Sequence, residues 1–142
     1  MGLSNCKNKK IYVLNSIDSE TNRNIEYIKK NIDNIIEEYK NILFFLSKLN
    51  IDNIESFLSI LNDYIDTCKN IKELNSFDFF LESRFAFFMK EKFNILSEII
   101  NNIELKNLSV VDKENFFKLI INIREYTNII YKIYLKKQNF IK

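Results

Sequence analysis

Histidine is absent from this 142-residue chain, proline and tryptophan are absent with it, glycine occurs once and cysteine twice. Each shortage removes a class of chemistry. Without histidine there is no common general base, no Ser-His-Asp triad and no Glu-x-x-His ligand set for a di-iron bundle. One glycine leaves no phosphate cradle of the glycine-rich type, and few conventional tight turns. Cys6 and Cys68 make neither a disulfide framework nor a zinc pattern. Long apolar runs are missing too. The longest, Ile42 to Leu46, is far too short to span a bilayer.

What is present is a core's worth of apolar residues. Hydrophobic residues make up 46% of the chain and charged residues 28%, enough to bury one compact domain. The abundance of Ile, Asn, Lys and Phe follows AT-rich codons, so asparagine carries no chemical weight here.

Apolar residues recur with the helical period almost throughout. Ile25, Ile28, Ile32, Ile35, Tyr39, Ile42, Leu46 and Leu49 step by three and four along one stripe. This predicts a long first helix over about 20–49, capped by Ser19 and stopped at Asn50. A second helix is expected to open at Asp52, where Asp52 and Glu55 make a capping-box-like pair. Its stripe is Ile54, Phe57, Leu58, Leu61, Tyr64, Ile65 and Cys68. Lys69 to Ser76 reads as a link, and a third helix is expected over about 77–105, broken once near its middle. Ser109 followed by Asp112 signals the start of a fourth, with Phe116, Leu119, Ile123, Tyr126, Ile130 and Ile133 facing inward. The expectation is all-α: an antiparallel four-helix bundle over 19–142, preceded by a short N-terminal arm over 1–18.

Charge is distributed unevenly. Lys7, Lys9 and Lys10 give the first ten residues +3, and Lys132, Lys136, Lys137 and Lys142 give the last eleven +4. The whole chain totals only +2, so the body between them carries −5. An even number of antiparallel helices returns the chain to its starting end, which would gather both lysine groups, with Lys69 and Lys72, at one pole. That polarity suits an anionic membrane surface. The acidic body, the scarcity of arginine and the lack of any known motif argue against nucleic acid.

The N-terminus reads Met1-Gly2-Leu3-Ser4-Asn5-Cys6-Lys7. Myristoyl transfer requires glycine after Met removal and small uncharged residues next to it, and here Cys6 stands where Ser or Thr is preferred. The segment resembles the start of dually acylated peripheral proteins, which implies lipid on Gly2 and on Cys6. One myristoyl chain binds a bilayer only marginally, so a second signal from Cys6 or from Lys7, Lys9 and Lys10 is needed.

The third helix is rich in phenylalanine. On an unbroken helical wheel Phe77, Leu81, Phe85, Phe88, Ile95, Ile99 and Ile103 share one face, while Phe80 and Phe87 fall opposite, near Arg84. Two readings follow. Either the helix is central and covered on both sides, or Phe80, Phe87 and Arg84 mark a partner-binding or homodimer surface. Asp78 and Glu82 share a side that Lys92 approaches, a spacing more typical of solvated helix pairs than of catalysts. Cys68, in apolar register, is expected to be a small inert hydrophobe.

No catalytic residue, metal or cofactor is expected. The leading expectation is a non-enzymatic adaptor on the cytoplasmic face of a membrane, held by an acylated basic arm and binding a protein partner through the Phe-rich helix. The alternative is a soluble bundle of the Bcl-2-like or immunity type that sequesters a partner helix. The absent tryptophan removes the Asn-Trp-Gly-Arg-type signature of the former.

Overall fold

The computed structural model describes the backbone of residues 2–49, 54–103 and 108–141, and side chains from Asn24 to Gln138 within those spans. Every regular element among them is helical: α1 (Gly2–Ser47), α2 (Glu55–Lys72), α3 (Phe77–Ser83), α4 (Phe85–Asn102) and α5 (Val110–Ile141). The helices pack on one another as an all-α bundle, as the periodicity requires. Five are seen rather than four because the predicted third helix is two, α3 and α4, parted at Arg84. The expected caps divide. α1 runs from Gly2 through the stretch expected as an arm over 1–18, so Ser19 lies inside this helix rather than at its start. Asp52 lies outside the described residues, and Ser109 does cap, its Oγ accepting from Asp112 N at 3.1 Å.

The stripes of α1 and α2 are buried much as their spacing implies. Ile25, Ile28, Ile32, Ile35, Ile42 and Leu46 of α1 meet Phe57, Leu61, Tyr64, Ile65, Cys68 and Ile71 of α2 in one core. On α5 the buried set is Phe116, Ile120, Ile123, Thr127, Ile130 and Tyr134, with Leu119, Tyr126 and Ile133 half-buried beside it.

The break expected within the third helix falls at Arg84, nearer its start than its middle. The backbone of Arg84 is left-handed (φ 61°, ψ 12°), the lone positive φ among the described residues. This conformation costs an L-residue roughly 1–2 kcal/mol, and glycine would ordinarily fill it. Local bonds hold the joint. Ser83 Oγ donates to Phe80 O at 2.9 Å and accepts from Phe85 N at 3.2 Å. The break resets the helical phase, so the predicted continuous face does not exist. Phe77, Phe80 and Leu81 are buried on α3, whereas α4 buries Ala86, Met89, Phe93, Leu96 and Ile100. Phe88 and Ile95, expected in the core, stand exposed.

Contacts fix the topology. At one end Phe116 packs against Phe45 and Phe57, with ring centroids 5.9 and 5.8 Å apart. At the other, Phe80 meets the edge of Tyr134 at 6.1 Å, Gln138 Nε2 donates to Leu81 O at 3.1 Å, and Lys72 pairs with Asp33 at 2.6 Å. The C-terminal part of α5 therefore shares an end with the α2–α3 link and the first buried turns of α1.

Candidate functional site

The proposed lipid and arm residues Gly2, Cys6, Lys7, Lys9 and Lys10 have side chains outside the described residues. Of the C-terminal lysines, Lys132 and Lys136 are exposed and Lys137 is half-buried. They stand at the same end as exposed Lys69 and Lys72, which the helix order anticipated. That end is less purely basic than expected, because Asp33, Glu73, Asp78 and Glu82 are exposed there too, and Asp33 neutralises Lys72.

The aromatic candidates part company. Phe80 is fully buried, stacked on Phe77 at 5.7 Å and set against Tyr134, so it cannot contact a partner. Phe77, Phe80 and Leu81 stand at i, i+3 and i+4 of α3 and so share its buried face. Phe87 is half-buried against the core, edge-on to Phe88 at 5.9 Å, with the Arg84 guanidinium 5.6 Å above its ring. Of the three, Arg84 alone is exposed. Neither expected reading describes α3, which buries one face, Phe77, Phe80 and Leu81, and leaves Asp78, Phe79 and Glu82 exposed. What the region does present is Phe79, Phe88 and Ile95, all exposed.

Polar side chains inside the bundle act as ties between helices. The Tyr64 hydroxyl bonds Thr127 Oγ1, and Thr127 donates in turn to Ile123 O at 2.7 Å. Lys92 Nζ donates to Thr67 Oγ1 at 2.9 Å rather than approaching Asp78 and Glu82. Lys90 Nζ donates to Asn128 Oδ1 at 2.7 Å, linking α4 to α5. Each buried polar side-chain atom among the described residues has a partner. Burial pushes the Cys68 thiol up to about 12, against smaller opposing effects of the Tyr64 hydrogen bond and the Lys92 charge. Burial, then Cys68, pushes the Tyr64 hydroxyl well above its ordinary value. Both groups stay neutral, and Cys68 fills space. No group of three acidic or sulfur ligands able to hold a metal occurs among the described residues.

One surface escaped the sequence reading. Between α4 and α5, toward the Phe116 end, lies an open groove of about 390 Å³. Phe93, Ile100 and Ile120 form its floor, Phe117 and Ile121 its exposed apolar wall, and Ser97, Asn101 and Arg124 its polar rim. The signal for it was present. Phe117, Ile121, Arg124, Asn128, Tyr131 and Leu135 step by four and three, one residue beyond the buried stripe of α5. A helix with two adjacent stripes has more apolar face than a four-helix bundle covers. No protein-family model, curated protein or solved structure matches the chain.

Proposed function

We propose that this chain is a non-enzymatic helical adaptor attached peripherally to a membrane through an acylated, basic N-terminal segment, with the α4 side of the bundle as its protein-contacting surface. The observation that carries the reading is the shared end: the lysine-bearing terminus of α5 lies beside the first buried turns of α1, the helix that begins at Gly2. Lipid on Gly2, assisted by Cys6, Lys7, Lys9 and Lys10, would then anchor the start of α1, about 34 Å before Ile25 along the helix that extends from the end of the bundle on which Lys132 and Lys136 stand. Each lysine near an anionic leaflet contributes about 1 kcal/mol, reduced by salt. No helix among the described residues is long and apolar enough to cross a membrane.

Fractionation of wild type against Gly2→Ala tests the lipid. The variant is expected to leave the membrane fraction and to be released further by high salt, and an intact mass of the native protein should carry an acyl chain. An unchanged membrane share in Gly2→Ala removes lipid from the reading. The α4–α5 groove favours a second reading, a soluble bundle that sequesters a partner helix. Partner capture retained by Gly2→Ala protein, in cells where neither form meets a membrane, selects it.

A further inference from the structure

We infer that the groove between α4 and α5 receives an acidic amphipathic helix, its apolar side chains seated between Phe117, Ile121 and Ile100 and its carboxylate on Arg124. The inference rests on the protein-contact part of the proposed function and names the chemistry of the occupant.

Continuity with the bundle's own packing gives the shape. Further along the outer stripe of α5, Asn128 takes a hydrogen bond from Lys90 and Gln138 donates to Leu81 O, with Leu135 exposed between them. The groove itself lies along the N-terminal half, around Phe117 and Ile121. An occupant continuing that seam must offer what α4 offers further along, apolar side chains one turn apart on a rod. A helix meets this at the usual separation of 8–10 Å between axes, and the open part spans about two turns. Phe117 and Ile121 are each 41% exposed, so most of what remains uncovered would be removed from water by such a rod.

Charge gives the sign. Arg124 is exposed at the groove's edge and makes no ion pair among the described residues. Its neighbours on the rim, Ser97 and Asn101, are neutral. Among the described residues Arg124 is thus the one charged residue lining the groove, with hydrogen-bonding partners on the facing helix, and a guanidinium fork matches a carboxylate in two parallel bonds. This is recognition of the helix-in-groove kind, with apolar anchors for affinity and one charge for orientation.

The probe is a fluorescein-labelled synthetic helix with two leucines one turn apart and a glutamate one turn further on, on an alanine–glutamine background, beside a twin with lysine for the glutamate. Both are titrated against the full chain by anisotropy. The glutamate peptide is expected to bind wild type at least about tenfold tighter than the lysine twin, a difference of roughly 1.4 kcal/mol. Arg124→Glu should reverse that order, and Ile121→Asp should abolish binding of both. Both residues are exposed, and circular dichroism verifies that the variants fold. Equal binding of the twins overturns the acidic specificity while leaving a helix-binding groove. Binding of neither overturns the groove as a helix site and, with it, this location for partner contact. Self-association that Ile121→Asp abolishes, seen by sedimentation without peptide, makes a second copy the occupant and overturns the proposal as well.

Discussion

Truncating Phe80 and Phe88 separately tests the phase reset at Arg84, because an unbroken helix, on which they stand about 80° apart, would bury both. Phe80 is fully buried, stacked 5.7 Å from Phe77 and 6.1 Å from Tyr134. Phe80→Ala removes a whole ring from a closed site bounded by α3 and α5, and buried Phe→Ala changes cost about 3–5 kcal/mol. Against a total stability of about 5–15 kcal/mol, that is a fifth or more of what a typical domain has. Phe88 is 43% exposed and its ring neighbour, Phe87, is itself half-buried. Phe88→Ala is expected to cost no more than about 1 kcal/mol. Phe80→Leu keeps most of the volume, and should recover all but about 1–1.5 kcal/mol. Urea unfolding followed by helical ellipticity measures all three, with a common slope confirming a two-state comparison. Equal losses for Phe80→Ala and Phe88→Ala, or a greater loss for Phe88→Ala, would refute the broken register and the burial drawn from it.

Three further outcomes follow from the same packing. Ser76→Ala removes the hydroxyl that accepts from Phe79 N at 3.2 Å and should cost about 1 kcal/mol by urea unfolding, whereas Lys72→Ala, which loses a pair exposed on both sides, should cost under about 0.5. Cys68 is raised from its ordinary value of 9.0 to about 12, so the unfolded chain releases this proton before the fold does. The neutral thiol's contribution is fully present below pH 9 and is lost as pH rises toward 12. Stability should then fall above pH 9, by up to about 1.4 kcal/mol per pH unit per group, with Tyr64 adding to it above 10; a flat profile between pH 8 and 11 contradicts this. In a Cys6→Ser background, Cys68 should resist Ellman's reagent in the native state and react fully in urea, and rapid native labelling would show that the thiol is not enclosed.

Much of the bundle is legible in the sequence wherever a stripe runs unbroken. Ile25 to Leu46 and Phe57 to Cys68 are buried nearly as spaced, because nothing between them disturbs the 3.6-residue period. Ser109 reads correctly as a cap since its chemistry is local. The face of the third helix could not be read the same way. Its phase depends on a left-handed residue, and arginine, unlike glycine, gives no hint of that conformation. Wheel positions on either side of Arg84 were therefore joined as if continuous, placing Phe88 inside and Phe80 outside. The groove was overlooked for another reason. Phe117 and Ile121 lie outside the stripe that periodicity assigns to the core, Phe116 to Ile133, and only the spacing of α4 from α5 reveals that they wall an open groove. The aromatic ties from Tyr64 to Thr127 and Phe45 to Phe116 join residues far apart in the chain, which no local pattern reports.

A hinge made from one left-handed arginine also restricts how the gene can drift. Each residue added to or lost from the stretch between Ser76 and Phe85 would turn α4 by about 100° about its own axis. Met89, Phe93 and Leu96 would then swing out to water, and Glu91 or Asn94 into the oil beside Tyr64. Point changes along α3 can be absorbed one at a time, but a codon gained or dropped there would scramble half of the molecule at a stroke. Descendants of this chain should therefore tolerate spelling changes in that segment while keeping its length.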